Sequence, residues 1–110
     1  MTIQYGDRTF RVARATGGDP PVAHYHQDGD LVWADFAGGD VRRGSLTGRS
    51  APDGALELSY TMVLTTGEVV AGHCNSRPEL LPDDRIRLRE RYRRFTPTAS
   101  EGSSIIEEVP

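Results

Sequence analysis

The chain has 110 residues, a formal net charge of −3 and a pI near 5.5, which predicts one domain over residues 1–110 with room for one core and one pocket. All 13 basic residues are arginine, so Schiff-base chemistry or general-base catalysis through a lysine is excluded. The single cysteine, and the lack of a long apolar run or a signal-peptide core in the sequence, predict a cytoplasmic protein without a membrane partner.

Turn signals divide the chain into short segments with strand character. These signals are Gly6-Asp7, Asp28-Gly29, Gly38-Gly39, Asp53-Gly54, Thr66-Gly67 and Asp83-Asp84. Because the intervening segments are too short for crossover helices, successive strands should pair antiparallel. We predict strands near residues 8–14, 22–27, 31–37, 41–49, 55–64, 68–76, 85–95 and 103–109, with residues 2–5 as a further edge strand.

The segment ALELSYTMVL alternates between apolar and polar residues, which indicates one buried face. The apolar face carries Leu56, Leu58, Tyr60, Met62 and Leu64. Eight meandering strands can avoid exposed edges by closing into a barrel just wide enough for a small ligand. Gly44, Gly48 and Gly72 suit the bends that closure requires. The sequence therefore predicts an all-β, eight-stranded antiparallel up-and-down barrel, with a two-layer sandwich as the alternative.

The histidines suggest a metal hypothesis. Gly18, His24 and His26, followed by Asp30, resemble the first metal motif of the cupins. The carboxylate is an aspartate at a turn, where the cupin motif has glutamate. The run before His73, Glu68-Val69-Val70-Ala71-Gly72, lacks the proline of the second motif. A cupin-like metal enzyme is thus the third hypothesis, and we predict no metal site and no cofactor.

The segment GEVVAGHCNSRPELLPDD contains a possible nucleophile and a connection. Cys74 and Ser76 share one face of a strand, while His73 points to the other, so the neighbours form no catalytic dyad. We predict that Cys74 is buried. The connection SRPELLPDD should plug one end of the barrel. Trp33 and Tyr25 are further candidates for a pocket wall, although weak alternation leaves their inward face undecided.

Residues 85–95, RIRLRERYRRF, hold six arginines. On a strand, five of them form one outward face, which we call the arginine ladder: Arg85, Arg87, Arg89, Arg91 and Arg93. Because the chain is acidic and Glu101, Glu107 and Glu108 lie in or just before the following strand, we expect ion pairs there and no nucleic-acid partner. The opposite face reads Ile86, Leu88, Glu90, Tyr92 and Arg94.

Glu90 is the principal candidate site residue. A carboxylate in phase with Ile86 and Leu88 must be paired, hydrogen-bonded or held with a raised pKa. We expect Arg94 as its partner and Tyr60 and Tyr92 as its hydrogen-bond donors. A buried structural network and a ligand or catalytic site both satisfy this pattern.

The runs FAGGDVRRGSLTG, GHCNSRPELLPDDRIRLRERY and GSSIIEE resemble a group of bacterial proteins of similar length that are often labelled N-acetylglutamate synthase, and the group resembles small calycin-type or avidin-like barrels. The resemblance implies the barrel fold and emphasises Glu90, Cys74 and Tyr92. No glycine-rich turn opening a helix is recognisable in the sequence, so the phosphate cradle of an acetyl-CoA enzyme is not predicted.

Two functional hypotheses lead. The first is a barrel that binds a small organic ligand in its lumen, through Leu56, Leu58, Met62, Cys74, Ser76, Leu88 and Arg94. The second is a cofactor-free isomerase or cyclase of a natural-product intermediate, with Glu90 as general acid or base and Tyr60 or Tyr92 stabilising an oxyanion. The sequence does not decide between a monomer and a homodimer.

Overall fold

The computed structural model describes residues 3–12 and 20–110, and it shows an antiparallel sheet that closes on itself. The strands in these ranges are β1 Thr9–Val12, β2 Val22–Asp28, β3 Leu31–Gly38, β4 Val41–Ser50, β5 Leu56–Leu64, β6 Val69–Leu80, β7 Ile86–Thr96 and β8 Ser100–Glu108. Each pairs with the next, and β8 pairs with β1. The predicted eight-stranded up-and-down barrel is confirmed. Within the described ranges, no helix has the length and apolarity needed to cross a membrane.

Strand β6 is longer than predicted, and this overturns the predicted plug. Its last residues, 76–80, pair with residues 86–90 of β7, so SRPELLPDD is largely strand and Leu80 is 52% exposed. Beyond Ser76, β6 pairs with β7 and has no partner in β5. Pro78 is tolerated there because an edge position does not require its missing N–H.

Tyr5 closes one end of the barrel instead. Its side chain is fully buried, its hydroxyl donates a hydrogen bond of 2.5 Å to the carbonyl of Gly54, and its backbone N–H donates to Oε1 of Gln27 at 2.7 Å. The predicted edge strand over residues 2–5 is not formed by residues 3–5, while residue 2 lies outside the described ranges. Tyr5 packs on Phe10 and Tyr25 and begins the hydrophobic core.

The pairing of β6, β7 and β8 sets the inner wall in rows. The register rows are Ser76–Glu90–Ser104, Cys74–Tyr92–Gly102 and Gly72–Arg94–Ser100. Each row lies two residues further along the strands, about 6.6 Å, than the one before it. Glu90 is therefore nearest to the core, and Arg94 is nearest to the opposite end of the barrel.

The arginine ladder points outward, as predicted. The ion pairs of its members are Arg85–Asp83 at 2.5 Å, Arg87–Glu107 at 2.8 Å, Arg89–Glu79, and Arg93–Glu101 at 3.1 Å. Two of the acidic partners lie on β8, as the sequence indicated, whereas Asp83 and Glu79 precede β7. Residues 85–95 look like a basic cluster in the sequence, but in the structure their arginine ladder is a solvent-exposed face with ion pairs.

Candidate functional site

The barrel encloses a cavity of about 280 Å³. Its lining residues are Phe10, Arg11, Val12, Pro21, Ala23, Tyr25, Phe36, Val41, Leu46, Leu58, Tyr60, Met62, Cys74, Glu90, Tyr92, Arg94, Ser104 and Ile106. Most of the wall is apolar or aromatic, and a few polar groups converge on it, which is the usual composition of a small-molecule site.

Seven of the ten predicted site residues line this cavity, and three do not. Leu56 and Leu88 are 2% and 0% exposed and belong to the core nearer the closed end. Ser76 is also buried, but its hydroxyl donates to Glu90 at 3.3 Å. The alternation placed all three on the inner face correctly. The alternation does not show where, along the barrel axis, the core ends and the cavity begins.

Glu90 accepts hydrogen bonds from two strands, in a group that we call the Glu90 cluster: Glu90, Cys74, Ser76 and Ser104. Oε1 accepts from Ser104 at 3.0 Å, and Oε2 accepts from Ser76 at 3.3 Å and from the thiol of Cys74 at 3.6 Å. Each partner lies in the same row as Glu90 or in the adjacent one. The backbone register therefore holds the carboxyl group in place.

Burial raises the pKa of Glu90, and the hydrogen bonds from Ser104, Ser76 and Cys74 only partly oppose it. Burial likewise raises the pKa of the Cys74 thiol to about 12, with the negative charge of Glu90 as the next cause. The cluster thus favours a protonated thiol and shifts the carboxyl toward its protonated form. A protonated Glu90 could donate a hydrogen bond to a ligand, and an ionised one could accept a proton.

The predicted partners of Glu90 were wrong. Tyr60, Tyr92 and Arg94 line the cavity but do not hydrogen-bond to its carboxyl group. The physical reason is the row spacing: Tyr92 lies one row beyond Glu90, and its phenol end lies over Gly102 of β8. Arg94 lies a further row away, with its guanidinium carbon 5.9 Å from the centre of the Tyr92 ring.

Several lining residues were missed in the sequence. Ser104 was missed because the two isoleucines that follow it leave the phase of β8 ambiguous; the inward residue is Ile106. Phe36 and Leu46 were missed because β3 and β4 alternate weakly. Tyr25 was named as a candidate and does line the cavity, whereas Trp33 lies outside, 36% exposed and stacked on His26.

The histidines do not converge on the cavity. His24 contacts the hydroxyl of Thr9 at 3.1 Å, and His73 lies 3.5 Å from Glu57 on the outer face, opposite in phase to Cys74. In the described part of the chain, no three His, Cys, Asp or Glu side chains are grouped so that they could hold a metal ion. Gly18 of the cupin-like motif lies outside the described residues. The cupin-like hypothesis, which required inward histidines, is not supported.

Comparison with known proteins places this barrel in a family. The family model described as "Avidin-like protein" matches residues 3–109. The chain therefore belongs to the avidin-like family, in agreement with its closed eight-stranded barrel. Neither the curated proteins nor the solved structures gave a match.

Proposed function

We propose that the protein binds a small organic molecule inside the barrel. One observation carries the proposal: an apolar, aromatic-walled cavity of about 280 Å³ has the hydrogen-bonded carboxyl group of Glu90 in its wall. The apolar wall would supply most of the binding free energy, and Glu90 would orient a polar group of the ligand. The volume is near the lower limit of about 300 Å³ for ligand pockets, so the ligand should be small. Membership of the avidin-like family agrees with this proposal.

A second candidate is a cofactor-free isomerase or cyclase acting on a ligand in the same cavity. The raised pKa of Glu90 favours it, because a carboxyl group that titrates closer to neutral pH is the better general acid or base. Tyr60 and Tyr92, which also line the cavity, would then stabilise an oxyanion on the substrate.

We further propose that the protein acts in the cytoplasm, without nucleic acid or a membrane as partner. The net charge of −3 and the ion pairs along the arginine ladder argue against a nucleic-acid partner. The single cysteine of the sequence is consistent with a reducing compartment.

Native mass spectrometry of freshly purified protein, followed by denaturation and analysis of the released small molecules, tests the binding proposal. An organic molecule retained in a one-to-one complex supports it. A protein that purifies empty but converts a candidate substrate, with a bell-shaped pH dependence lost in Glu90→Gln, supports the enzyme. A protein that neither retains nor takes up any small molecule contradicts both.

A further inference from the structure

Arg94 is the cationic side chain that β7 turns inward. The other arginines of this strand belong to the outward ladder, whereas Arg94 shares the inner face with Glu90 and Tyr92. Consecutive residues of a strand point to opposite faces. Arg93 therefore points outward and pairs with Glu101, whereas Arg94 points into the lumen. A guanidinium group therefore forms part of an otherwise mainly apolar wall.

Two tyrosines accompany this guanidinium group. It lies 5.9 Å from the ring centre of Tyr92, within the range of a cation–π contact. Burial raises the pKa of Tyr60, and the positive charge of Arg94 is the largest influence that opposes this rise. The cation–π contact with the Tyr92 ring does not use the guanidinium N–H groups as donors to an oxygen, so N–H groups remain for an acceptor on a ligand.

The described residues do not neutralise this charge inside the cavity. Four members of the arginine ladder form ion pairs, but no carboxylate in residues 3–12 and 20–110 pairs with Arg94. Glu90 lies two rows away, is held by Ser76 and Ser104, and has a raised pKa. Arg11 also borders the cavity, but it is exposed and lies on β1 between the inward residues Phe10 and Val12, so its side chain belongs to the outer face. The inward-facing wall described here thus carries one guanidinium group, that of Arg94, and a carboxyl group that is shifted toward its neutral form.

Resting on the proposed function, we infer that the ligand is a small monoanion, a carboxylic acid with an apolar body, and that Arg94 pairs with its carboxylate. A planar guanidinium fork matches a carboxylate in two parallel hydrogen bonds. One positive charge balances a carboxylate, whereas a phosphate, which carries close to two negative charges at neutral pH, would leave an excess inside an apolar wall. In this arrangement Arg94 would determine the preference for an acid over its neutral analogue.

The test uses fragments in matched triads, each an aromatic or aliphatic body bearing a carboxylate, a primary amide or an amine. Affinities are measured by calorimetry on the full chain. For wild type we expect the acid to bind at least about tenfold more tightly than its amide, as charge-assisted hydrogen bonds predict. Arg94→Gln should abolish that preference by weakening the binding of the acid at least about tenfold and that of the amide much less. Arg94→Lys should retain part of the preference. Arg91→Gln, an exposed change on the same strand, is the matched control and should change nothing.

The outcomes separate this inference from the function on which it rests. Acids and amides that bind equally to wild type would overturn the role of Arg94 but leave ligand binding intact. A preference for amines would show that an ionised Glu90, and not Arg94, determines which charge the ligand carries. It would also overturn the inferred role of Arg94. If no triad member binds and the protein purifies empty, the proposed function fails and the inference fails with it. The wild-type comparison needs no variant, so a misfolded variant would not block the test.

Discussion

The phenol end of Tyr92 on β7 lies directly over Gly102 of β8. A Cβ atom built on Gly102 would be 2.5 Å from the ring carbon that bears the hydroxyl of Tyr92, closer than real side chains approach each other. Tyr60 also lies against Gly72 across β5 and β6, with its hydroxyl oxygen 2.5 Å from a Cβ atom built there, although the backbone carbonyl of Arg93 is closer still. The aromatic rings can therefore rest on the barrel wall instead of filling the lumen, so the glycines help to keep the cavity open.

Replacing Gly102 by alanine should reduce the cavity while preserving the fold. The nearest obstacles to the new methyl group are all atoms of the Tyr92 side chain, which can move into the lumen. We expect retained ligand, or fragment affinity, to fall at least about tenfold with a small change in melting temperature. Gly6→Ala is the matched control, since its nearest neighbours would lie at an ordinary 3.6 Å. Unchanged binding in Gly102→Ala would show that the cavity is not the ligand site.

The ion pairs of the arginine ladder should contribute little to stability. Arg89 and Glu79 have side chains 57% and 42% exposed, and Arg87 and Glu107 are 33% and 25% exposed. We predict that Arg87→Gln and Arg89→Gln each change the free energy of unfolding by no more than about 1 kcal/mol, as for other exposed pairs. Urea unfolding measures this, with Arg91→Gln as the control. Nanomolar, salt-sensitive binding of the wild type to RNA or DNA would contradict this interpretation of the surface.

The barrel could be predicted because two independent sequence patterns agree. Regular turn signals fix the number of strands, and the alternation from Leu56 to Leu64 shows that one face is buried. The closed end could not be predicted, since it depends on Tyr5 reaching the carbonyl of Gly54, 49 residues away. The segment SRPELLPDD resembles a loop in the sequence because it contains two prolines. Its first half can be a strand because residues 77–80 of β6 pair with β7 on one side only, and this pairing is visible only in the structure.

The position of Glu90 could be predicted, but its partners could not. Its inward direction followed from its phase with Ile86 and Leu88. The partner Ser104 depends on the register between β7 and β8, and a single sequence gives no measure of register. Tyrosine and arginine were chosen for their hydrogen-bonding capacity, yet the row spacing of about 6.6 Å placed the small hydroxyl groups of Ser76 and Ser104 within reach instead.

Cys74 should be unreactive in the folded protein. Its pKa of about 12 lies far above the value of about 8.5 for a free thiol. At pH 8 the thiolate population should therefore be on the order of 10³ lower than in the unfolded chain. The release of the coloured thiolate of Ellman's reagent, followed with and without guanidinium chloride, measures the difference. Rapid labelling of the folded protein at pH 8 would contradict the burial of this thiol and would make Cys74 a candidate nucleophile again.

Glu90 should make the stability of the protein depend on pH in a definite direction. Because burial raises the pKa of its carboxyl group in the folded state, the folded chain holds this proton more tightly than the unfolded chain does. Its contribution to stability is fully present below the unfolded pKa of about 4.3 and is lost as pH rises through the raised folded pKa. The free energy of unfolding of wild type should thus fall, relative to that of Glu90→Gln, as pH rises from about 4. A difference that grows with pH in favour of wild type would contradict this assignment.

The Glu90→Gln variant also decides whether the carboxyl group serves function or only structure. Glutamine preserves the shape and much of the hydrogen bonding to Ser76 and Ser104 while removing charge and proton exchange. If Glu90 is a site residue, the variant should be at least as stable at pH 7, because burying an ionised carboxylate is costly. Ligand affinity or turnover should then fall by about 1.4 kcal/mol or more, which is tenfold. A purely structural carboxyl group predicts the reverse, a lower melting temperature with binding per folded molecule unchanged. Melting temperature and ligand retention measured on the same preparation distinguish the two, with Ser103→Ala on the exposed outer face as the control.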